Sequence, residues 1–379
     1  MSRITVLHFT KIINRNDFID IIVRNADPNK FRLLASTYQS FSNIEDPKYR
    51  EEGIPHFILN IHHGWIDMFL GAWRLSRLLR LHKVDILHTH HYYESVIGMM
   101  ACMLSGGTVQ VVGRHYHDQF YLTTKGLKLW FYLFVEAIVN KFAKAIVVPS
   151  SLIVQLLVKQ HVPDRKIKFI PYGFDFNAPR YNALNPEAVH NMRNSFGWSD
   201  KFLIGNIGRH HPIKGQLYLL NAFEKILSKI PNAILIMIGD GPIHEELKEV
   251  VSDRGLQNAI FFLGWRKDAH ELMNMMDVVV HPTLQEAFPQ LMIETMALAK
   301  PLIITPVSGA TDVVQSGVNG FLIPFRDSKA IEDAIYFVYY NKEKANEIGR
   351  AARAHVQNHY TIQNVVPQFE VLYESLMCS

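Results

Sequence analysis

The chain has 379 residues, of which 48% are hydrophobic and 20% charged, and its formal net charge is +4. This length exceeds the roughly 250–300 residues at which a single core usually stops growing, so we expect two domains, and the composition excludes a disordered or low-complexity protein. Two cysteines, Cys102 and Cys378, provide no disulfide framework and no CxxC metal motif, which favours a reducing cytoplasm.

Positive charge is concentrated in the first half of the chain. Residues 1–178 hold 21 Lys and Arg against 14 Asp and Glu, whereas the remainder holds 18 against 21. We therefore expect a cytoplasmic protein whose basic first half is the side that meets a membrane surface or an anionic acceptor. No recognised motif accompanies this modest charge, which argues against a nucleic-acid partner. The first residues, MSRITVLHFT, predict a strand and not a signal peptide, and the apolar stretch 127–138 is too short to span a bilayer.

The first half alternates β-rich runs with helical stretches. Strands are predicted at 4–9, 31–36, 56–59, 85–89, 108–113, 144–149 and 166–171. This alternation is typical of a parallel sheet with helices on both faces. Arginines three residues apart, at 74, 77 and 80, predict the solvated face of a helix. The aromatic group Trp130, Phe131, Tyr132 and Phe134 predicts a buried helix, with contact to a lipid acceptor as the alternative.

The same pattern repeats in the second half. Strands are predicted at 202–207, 233–238, 260–263, 277–281, 302–305 and 320–323. The stretch 170–201 is rich in Pro and Asn and has no strand-like run, so it predicts an inter-domain connection. We expect domains over 1–176 and 177–357, and a C-terminal helix over 358–379 that is a candidate to pack back on the first domain. Ligands of such sheets bind beyond the carboxyl ends of the strands, so two facing sheets predict a cleft between the domains.

The segment GRHHPIKG (208–215) lies directly after one predicted strand and before a helix that begins near residue 216. Gly208 and Gly215 allow tight turns and close backbone approach. Arg209 can bind two oxygens with its planar fork, and Lys214 can act as a mobile point charge. Together these cations suit a diphosphate and would stabilise a departing nucleoside diphosphate.

Two glutamates lie in HPTLQEAFPQLMIETMALAKPLII (281–304), which predicts a strand end, a loop and a helix from residue 290. Glu286 lies in the loop and Glu294 one turn inside the helix, so both carboxylates can face a ligand at the helix N-terminus. The free N–H groups there favour a phosphate, and carboxylates accept hydrogen bonds from ribose and sugar hydroxyls. Taken alone, the two glutamates favour a simpler interpretation, in which Glu286 is a solvated loop residue and Glu294 an exposed helix residue.

Five spaced elements resemble the carboxyl-terminal domain of family 4 glycosyltransferases, which have the GT-B fold. They are GRHHPIKG, IGDGP (238–242), FLGW (262–265), the glutamate segment and SGATDVVQSGVNGFLIP (308–324). The segment 144–175 is similar to the end of that family's first domain. The resemblance implies two facing Rossmann-like, doubly wound domains with an inter-domain cleft. It also implies a retaining, hexosyltransferase-like transfer from a nucleotide sugar to an acceptor hydroxyl.

What the resemblance implies about partners is more specific. We expect a UDP- or GDP-sugar as donor and a glycan or lipid-linked acceptor in polysaccharide, glycolipid or cell-envelope synthesis, with peripheral membrane contact through the basic domain. No cofactor and no metal are expected, because the cation pair takes the place of magnesium at the leaving group.

Roles carry over to individual residues of the second domain. The resemblance makes Glu294 the ribose ligand, Glu286 the contact to the donor sugar, and Arg209 with Lys214 the diphosphate pair. The remaining positions implied for the donor site are Gly208, Phe288, Pro289, Gln290 and Leu291.

The family tends to place Thr-x-His after its fifth strand. The segment GRHYHD (113–118) puts His115 at the aligned position and Gly113 where threonine is frequent. We therefore predict that His115 lies next to the transferred sugar, with His117 as the alternative. The family's Gly-rich loop after the first strand has no counterpart, since FTKIINRND (9–17) contains no glycine.

A metal site is the competing hypothesis for these histidines. His88, His90 and His91, together with His115 and His117, can line the ends of adjacent strands, where an HxH pair points two imidazoles to one side.

Other functions and two mechanisms also stay open. A sugar-nucleotide epimerase of the same fold and a non-catalytic sugar-nucleotide-binding protein are the alternatives to a transferase. Retention requires either a carboxylate nucleophile or attack from the face of the departing group, and we favour the second route.

Overall fold

The computed structural model describes residues 3–11, 18–37, 53–61, 65–115 and 124–378. It divides into two compact units, one formed by Met1–Asp175 with Tyr360–Ser379 and the other by Phe176–His359. Each unit is built on one sheet in which every strand pair is parallel. The prediction of two doubly wound α/β folds is thereby confirmed.

The sheet of the first unit has seven strands. They are β1 (Ile4–Thr10), β2 (Phe31–Thr37), β3 (His56–Ile58), β4 (Ile86–His90), β5 (Val109–Gly113), β6 (Ala145–Val148) and β7 (Ile167–Phe169). Their order is β3-β2-β1-β4-β5-β6-β7, so the direction of winding reverses between β1 and β4. Ligands of doubly wound sheets bind at the carboxyl ends of the strands at such a point.

Helices cover both faces of this sheet. They are α1 (Phe18–Asn25), α2 (Trp65–Leu81), α3 (Tyr92–Ser105), α4 (Gly126–Phe142), α5 (Ser151–Lys159) and α14 (Ile362–Met377). Because side chains alternate along a strand, Val6 and Ile86 pack towards α14, whereas Leu7 and Leu87 pack towards α2 and α3. The C-terminal helix is therefore part of the first unit's core.

The sheet of the second unit has six strands. They are β8 (Phe202–Ile207), β9 (Ala233–Ile238), β10 (Ile260–Gly264), β11 (Val278–His281), β12 (Leu302–Ile304) and β13 (Phe321–Leu322). Their order is β10-β9-β8-β11-β12-β13, which places the reversal of winding between β8 and β11.

The second unit carries eight α-helices in the part of the chain that the structure describes. They are α6 (Pro186–Ser195), α7 (Gln216–Lys229), α8 (His244–Asp253), α9 (Ala269–Asn274), α10 (Gln290–Ala297), α11 (Ala310–Val313), α12 (Ser328–Tyr340) and α13 (Lys342–His359). Its core contains strand residues such as Ile204 and Leu235, packed against Leu219 and Phe223 of α7 and Ile335 of α12.

The aromatic helix α4 corrects one prediction. Trp130, Phe131 and Phe134 are exposed, so the expectation of a buried aromatic helix is wrong. The face of α4 that packs inward carries Glu136, whose carboxylate lies 3.1 Å from the guanidinium of the buried Arg114. A hydrophobic pattern cannot reveal a helix whose buried side holds an ion pair.

The arginines of α2 lie on the surface as predicted. Among the described helices, none combines the length and the apolar character needed to cross a membrane.

Candidate functional site

In the second unit, the two predicted motifs leave adjacent strands at the point where the winding reverses. GRHHPIKG follows β8, and the glutamate loop follows β11, which pairs directly with β8. Both loops therefore begin at the carboxyl edge of the sheet, where doubly wound folds bind their ligands.

Backbone contacts join these two loops. The N–H of Leu284 donates to the carbonyl of Ile213 at 2.6 Å, and the hydroxyl of Thr283 donates to the same carbonyl at 3.2 Å. Gly215 has a left-handed φ of 69°, and a Cβ there would lie 2.0 Å from the carbonyl oxygen of Pro282. Only glycine fits this crossing, so Gly215 sets how closely the two loops approach.

Two further motifs attach to the same loops. The N–H of His210 donates to the carbonyl of Asp240 in IGDGP at 2.9 Å, and the His210 and His244 rings are joined by a 2.7 Å hydrogen bond between their Nδ1 atoms. FLGW is attached next, because the N–H of Gly239 donates to the carbonyl of Gly264 at 2.8 Å.

SGATD completes the set, since the ring of Phe288 lies directly against Gly309. The five spaced motifs are thus neighbours in space.

Lys214 and Glu286 form an ion pair at the centre of this arrangement, although 72 residues separate them. The Nε2 atom of His281, the last residue of β11, lies 3.4 Å from the same carboxylate. Burial by itself would raise the pKa of Glu286, but the neighbouring imidazole and ammonium outweigh it, and the pKa lies below its ordinary value. Glu286 is therefore a carboxylate at neutral pH.

Arg209 and the start of α10 lie on the same edge. Arg209 is exposed, and its carbonyl accepts a hydrogen bond from the amide of Gln216 at 3.0 Å. Helix α10 begins after Pro289 and has no side-chain cap in the described structure. Its first N–H groups, at Gln290 and Leu291, can therefore donate to an anion.

Glu294 lies one turn into α10 and is half-buried. Burial raises the pKa of its carboxyl group, and the positive charges of Arg180 and His270 only partly oppose this effect. A desolvated carboxyl group of this kind gains from hydroxyl groups that donate to it.

In the first unit, three of the predicted histidines, His88, His90 and His115, belong to a hydrogen-bonded chain that also includes His8. His8 and His88 are register partners on β1 and β4, and His90 lies two residues further on the same face. The His8 Nδ1 and His90 Nε2 atoms are 3.0 Å apart, and the His90 Nδ1 and His115 Nε2 atoms are 2.8 Å apart.

Two tyrosines close the chain. At one end His115 Nδ1 bonds the hydroxyl of Tyr172 at 2.8 Å. At the other end the hydroxyl of Tyr373 bonds His88 Nδ1 at 2.8 Å and His8 Nε2 at 3.3 Å.

The direction of this chain fixes the tautomer of His115. Burial lowers the pKa of His8 to about 3 and holds the pKa values of His88, His90 and His115 well below 6.5, so the four rings are neutral. A neutral imidazole has one N–H donor and one bare acceptor nitrogen, so every bond in the chain must run the same way. The tautomers of His8, His90 and His115 are therefore coupled along the chain.

Gly113 gives the rings their space. A Cβ at this residue would lie 2.5 Å from His115 Nε2 and 2.7 Å from His90 Nδ1. The absence of a side chain, at a position where the family often has threonine, lets the two imidazoles meet. Phe18 covers His115, with ring centroids 4.2 Å apart.

The sequence prediction missed several members of this network. His8 lies in the first strand, Tyr172 lies in the segment 144–175 but was not singled out within it, and Tyr373 is 285 residues from His88, so no local signal marks these three as members of one network. His281 could have been found as the final residue of a strand that precedes the glutamate loop. The alternative His117 and most of the loop after β1 lie outside the described residues.

One group of buried histidines has a geometry compatible with the metal-site hypothesis. Among the described residues, His8, His88 and His90 offer ligand nitrogens that lie within 4.8 Å of one another. Neutral imidazoles are the form that binds transition metals, so the residue types suit Zn²⁺.

Comparisons with known proteins identify the family. The description "Glycosyl transferases group 1" matches residues 189–355, and "Glycosyltransferase Family 4" matches residues 29–178. The chain belongs to glycosyltransferase family 4. One match covers most of the second unit and the other covers most of the first unit.

Relatives of this family 4 chain are glycosyltransferases of glycan synthesis. It is 28% identical, over 98% of its own length and 93% of the relative's, to the Escherichia coli UDP-Gal:alpha-D-GlcNAc-diphosphoundecaprenol alpha-1,3-galactosyltransferase. It is 29% identical to the Staphylococcus aureus capsular polysaccharide biosynthesis glycosyltransferase CapM, over 67% of this chain and 68% of CapM.

Solved structures show the same fold. Anabaena HepE in complex with UDP superimposes with a TM-score of 0.84 at 21% identity, covering 99% of this chain and all of HepE. HepE in complex with UDP-glucose gives a TM-score of 0.82 over 98% of this chain. The two Rossmann-like units are those of a GT-B glycosyltransferase.

Proposed function

We propose that this enzyme transfers a sugar, with retention of anomeric configuration, from a nucleotide diphosphate sugar to an acceptor hydroxyl. The observation that supports this most directly is the convergence of Arg209, Lys214, Glu286 and the uncapped start of α10 where β8 and β11 end. Two cations and free N–H groups suit a diphosphate, and a carboxylate beside them suits a sugar hydroxyl.

The donor is proposed to be a UDP-sugar in preference to a GDP-sugar. The E. coli relative uses UDP-Gal, and HepE was solved with UDP-glucose. The acceptor is proposed to be a glycan or a lipid-linked glycan at a membrane, since the same relative acts on a diphosphoundecaprenol-linked sugar. Cys102 and Cys378, which form no disulfide, support a cytoplasmic location.

The proposed chemistry is dominated by charge on the leaving group. As the bond between the anomeric carbon and the phosphate oxygen breaks, the electron pair stays on the diphosphate, and Arg209, Lys214 and the α10 N–H groups stabilise it. The acceptor oxygen attacks from the same face, and its proton passes to the departing phosphate oxygen. In this proposal Glu286 holds the donor sugar, Glu294 holds the ribose, and His115 lies beside the transferred sugar.

Product analysis tests this function. UDP- and GDP-sugars labelled in the sugar are incubated with the enzyme and lipid-linked acceptors, and the anomeric configuration of the product is assigned by NMR. Label in a glycoside with the donor's configuration supports the proposal. Label recovered only in an isomeric nucleotide sugar would identify an epimerase, and binding with neither transfer nor hydrolysis would identify a non-catalytic binding protein.

Two further measurements test the details. A stable glycosyl adduct on Glu286, detected by mass spectrometry, would replace same-face attack with a covalent mechanism. We also propose that transfer needs no metal. Full activity after dialysis against EDTA, with less than stoichiometric metal by elemental analysis, supports this, whereas activity restored only by Zn²⁺ would favour the histidine site.

A further inference from the structure

Helix α4 exposes a continuous apolar stripe. Its residues recur at spacings of three and four, at Leu127, Trp130, Phe131, Phe134, Ile138 and Phe142, which places them along one side of the helix. Leu127 is 83% exposed, Trp130 63% and Phe134 51%. The rings of Trp130 and Phe134 stack with centroids 5.6 Å apart, so the stripe presents a flat aromatic centre.

The opposite side of α4 holds the helix in this orientation. Glu136 is buried and paired with Arg114, and Val139 and Asn140 are buried beside it. The hydroxyl of Tyr92 in α3 donates to the carbonyl of Tyr132 at 3.1 Å. Turning the stripe inward would expose or break a buried ion pair, which is strongly unfavourable.

Positive charge brackets the stripe at both ends. Lys125 and Lys128 lie at the start of α4, and Lys141 and Lys144 lie at its end, all four exposed. Glu136, which is buried, is the one acidic residue in α4. The solvent-facing side of this helix therefore combines apolar and cationic groups without a carboxylate.

Helix α2 adds a second surface of the same type. Its exposed apolar residues are Ile66, Phe69, Leu70, Trp73 and Leu81. Arg77 and Arg80 are exposed among them, with the Arg77 guanidinium 5.0 Å above the Trp73 ring. Both α2 and α4 pack against α3, so the two helices lie on one face of the first sheet.

We propose that this α2–α4 surface docks on an anionic lipid bilayer. Helix α4 has 17 residues and is about 25 Å long, enough to lie in the plane of the interface with its stripe among the acyl chains and its lysines at the phosphates. Tryptophan suits this boundary because its ring is apolar and its N–H is polar. The excess of basic residues in the first half of the chain adds long-range attraction to the surface.

The positive charge around the α4 stripe favours an anionic bilayer over a second copy of this chain as the binding partner. Pairing two copies through α4 would bring eight like charges together around an apolar centre, whereas an anionic bilayer neutralises them. The inference rests on the proposed function only in that a lipid-linked acceptor would be reached at this surface. Docking itself can be measured without any transfer.

Flotation of the full chain with lipid vesicles tests the proposal. Vesicles of phosphatidylcholine are compared with vesicles containing phosphatidylglycerol, at low and high salt. Wild type should float with anionic vesicles, and Lys128→Gln with Lys141→Gln should lower its partition coefficient about tenfold or more on these vesicles alone. Trp130→Ser with Phe134→Ser should lower it at least as much, and the effect should persist at high salt.

Matched controls keep the test decisive. Tyr340 is exposed on α12 of the second unit, so Tyr340→Ser should float like wild type. UDP binding, followed by thermal shift, should be the same in all variants and shows that they are folded.

Failure of wild type to float, or flotation of the stripe variants at the wild-type level, would overturn the proposal. So would a dimer in sedimentation velocity that the stripe variants abolish. Absence of docking by wild type, with transfer to a soluble acceptor intact, would refute this inference alone, and docking of wild type without transfer to any acceptor would refute the proposed function alone.

Discussion

Lys214 donates a hydrogen bond to the carboxylate of Glu286 across 72 residues of sequence. The resemblance assigns these two side chains to different parts of the donor, the diphosphate and the sugar. In the structure they neutralise each other, with His281 3.4 Å from the same carboxylate. In the proposed function, donor binding exchanges this internal ion pair for contacts with phosphate and sugar, which would couple the proposed diphosphate site to the proposed sugar site.

The cation pair gives the first prediction. Arg209→Ala and Lys214→Ala should each lower turnover of the nucleotide sugar by ~10²-fold or more, because each variant lacks a positive charge that would stabilise the developing diphosphate anion. Initial rates with saturating donor measure this effect. Lys225→Ala, an exposed lysine of α7, is the matched control and should retain wild-type turnover. Near-normal rates in both site variants would remove this pair from the mechanism.

Substitutions of the two glutamates should have different effects on the binding of UDP and on the binding of the UDP-sugar. Glu294→Ala should weaken binding of UDP by roughly tenfold or more, because the proposed ribose site loses its carboxyl hydrogen-bond acceptor. Glu286→Gln should leave UDP binding unchanged or tighter, since Lys214 loses its internal partner, and should weaken only the sugar-bearing donor. Isothermal titration calorimetry measures both ligands, with Glu246→Ala as an exposed control. Equal losses of UDP affinity in the two variants would show that the roles are not divided.

The space at Gly113 gives a prediction for the histidine chain. Gly113→Ala places a methyl group against His115 Nε2 and His90 Nδ1, so His115 must move, and turnover should fall by up to ~10²-fold. UDP binding should be unchanged, since the proposed ribose and diphosphate ligands belong to the second unit. Val112→Ala, on the other face of β5, controls for disturbance of the strand. Normal turnover with Gly113→Ala would mean that the position of His115 does not matter to transfer.

Stability should depend on pH below about 6.5. The pKa values of His8, His88, His90 and His115 lie below the ordinary value in the folded protein, so the unfolded chain binds more protons as the pH falls. The stability that these neutral rings contribute is therefore fully present above pH 6.5. It is lost on acidification, and the free energy of unfolding falls by up to about 1.4 kcal/mol per pH unit for each ring that stays neutral. For His8 the loss continues towards pH 3.

Urea unfolding between pH 5 and 8 measures this dependence. His8→Leu should make the free energy of unfolding depend less on pH, because the variant lacks one imidazole whose pKa is lower in the folded than in the unfolded state. His161→Asn removes an exposed histidine at a positive φ that asparagine tolerates, and it should keep the wild-type slope. A free energy of unfolding that does not change between pH 5 and 7 would contradict the neutral-chain description.

Much of this architecture was predictable from local patterns. Strands of a parallel sheet are buried on both faces, so they stand out as short apolar runs between helical stretches, and all thirteen predicted runs contain a strand. GRHHPIKG and the glutamate segment were also visible, because the glycines and charges of a ligand loop stand together in the chain. Their positions after β8 and β11 followed from the same patterns.

The contacts between distant segments were not predictable in this way. Lys214 meets Glu286 because β8 and β11 are neighbours in the sheet, and strand order is a property of the whole fold. Tyr373 reaches His88 because the C-terminal helix returns to the first unit, a contact that closes 285 residues of chain.

The aromatic residues of α4 show the same division. Their spacing determined that one side of a helix would be apolar, but the expectation that this side is buried was wrong. The tertiary structure decided that this side faces outward, because the buried Arg114 holds Glu136, and with it the opposite side of the helix, against the sheet. Local periodicity records which residues share a face, whereas the direction of that face depends on partners that only folding brings together.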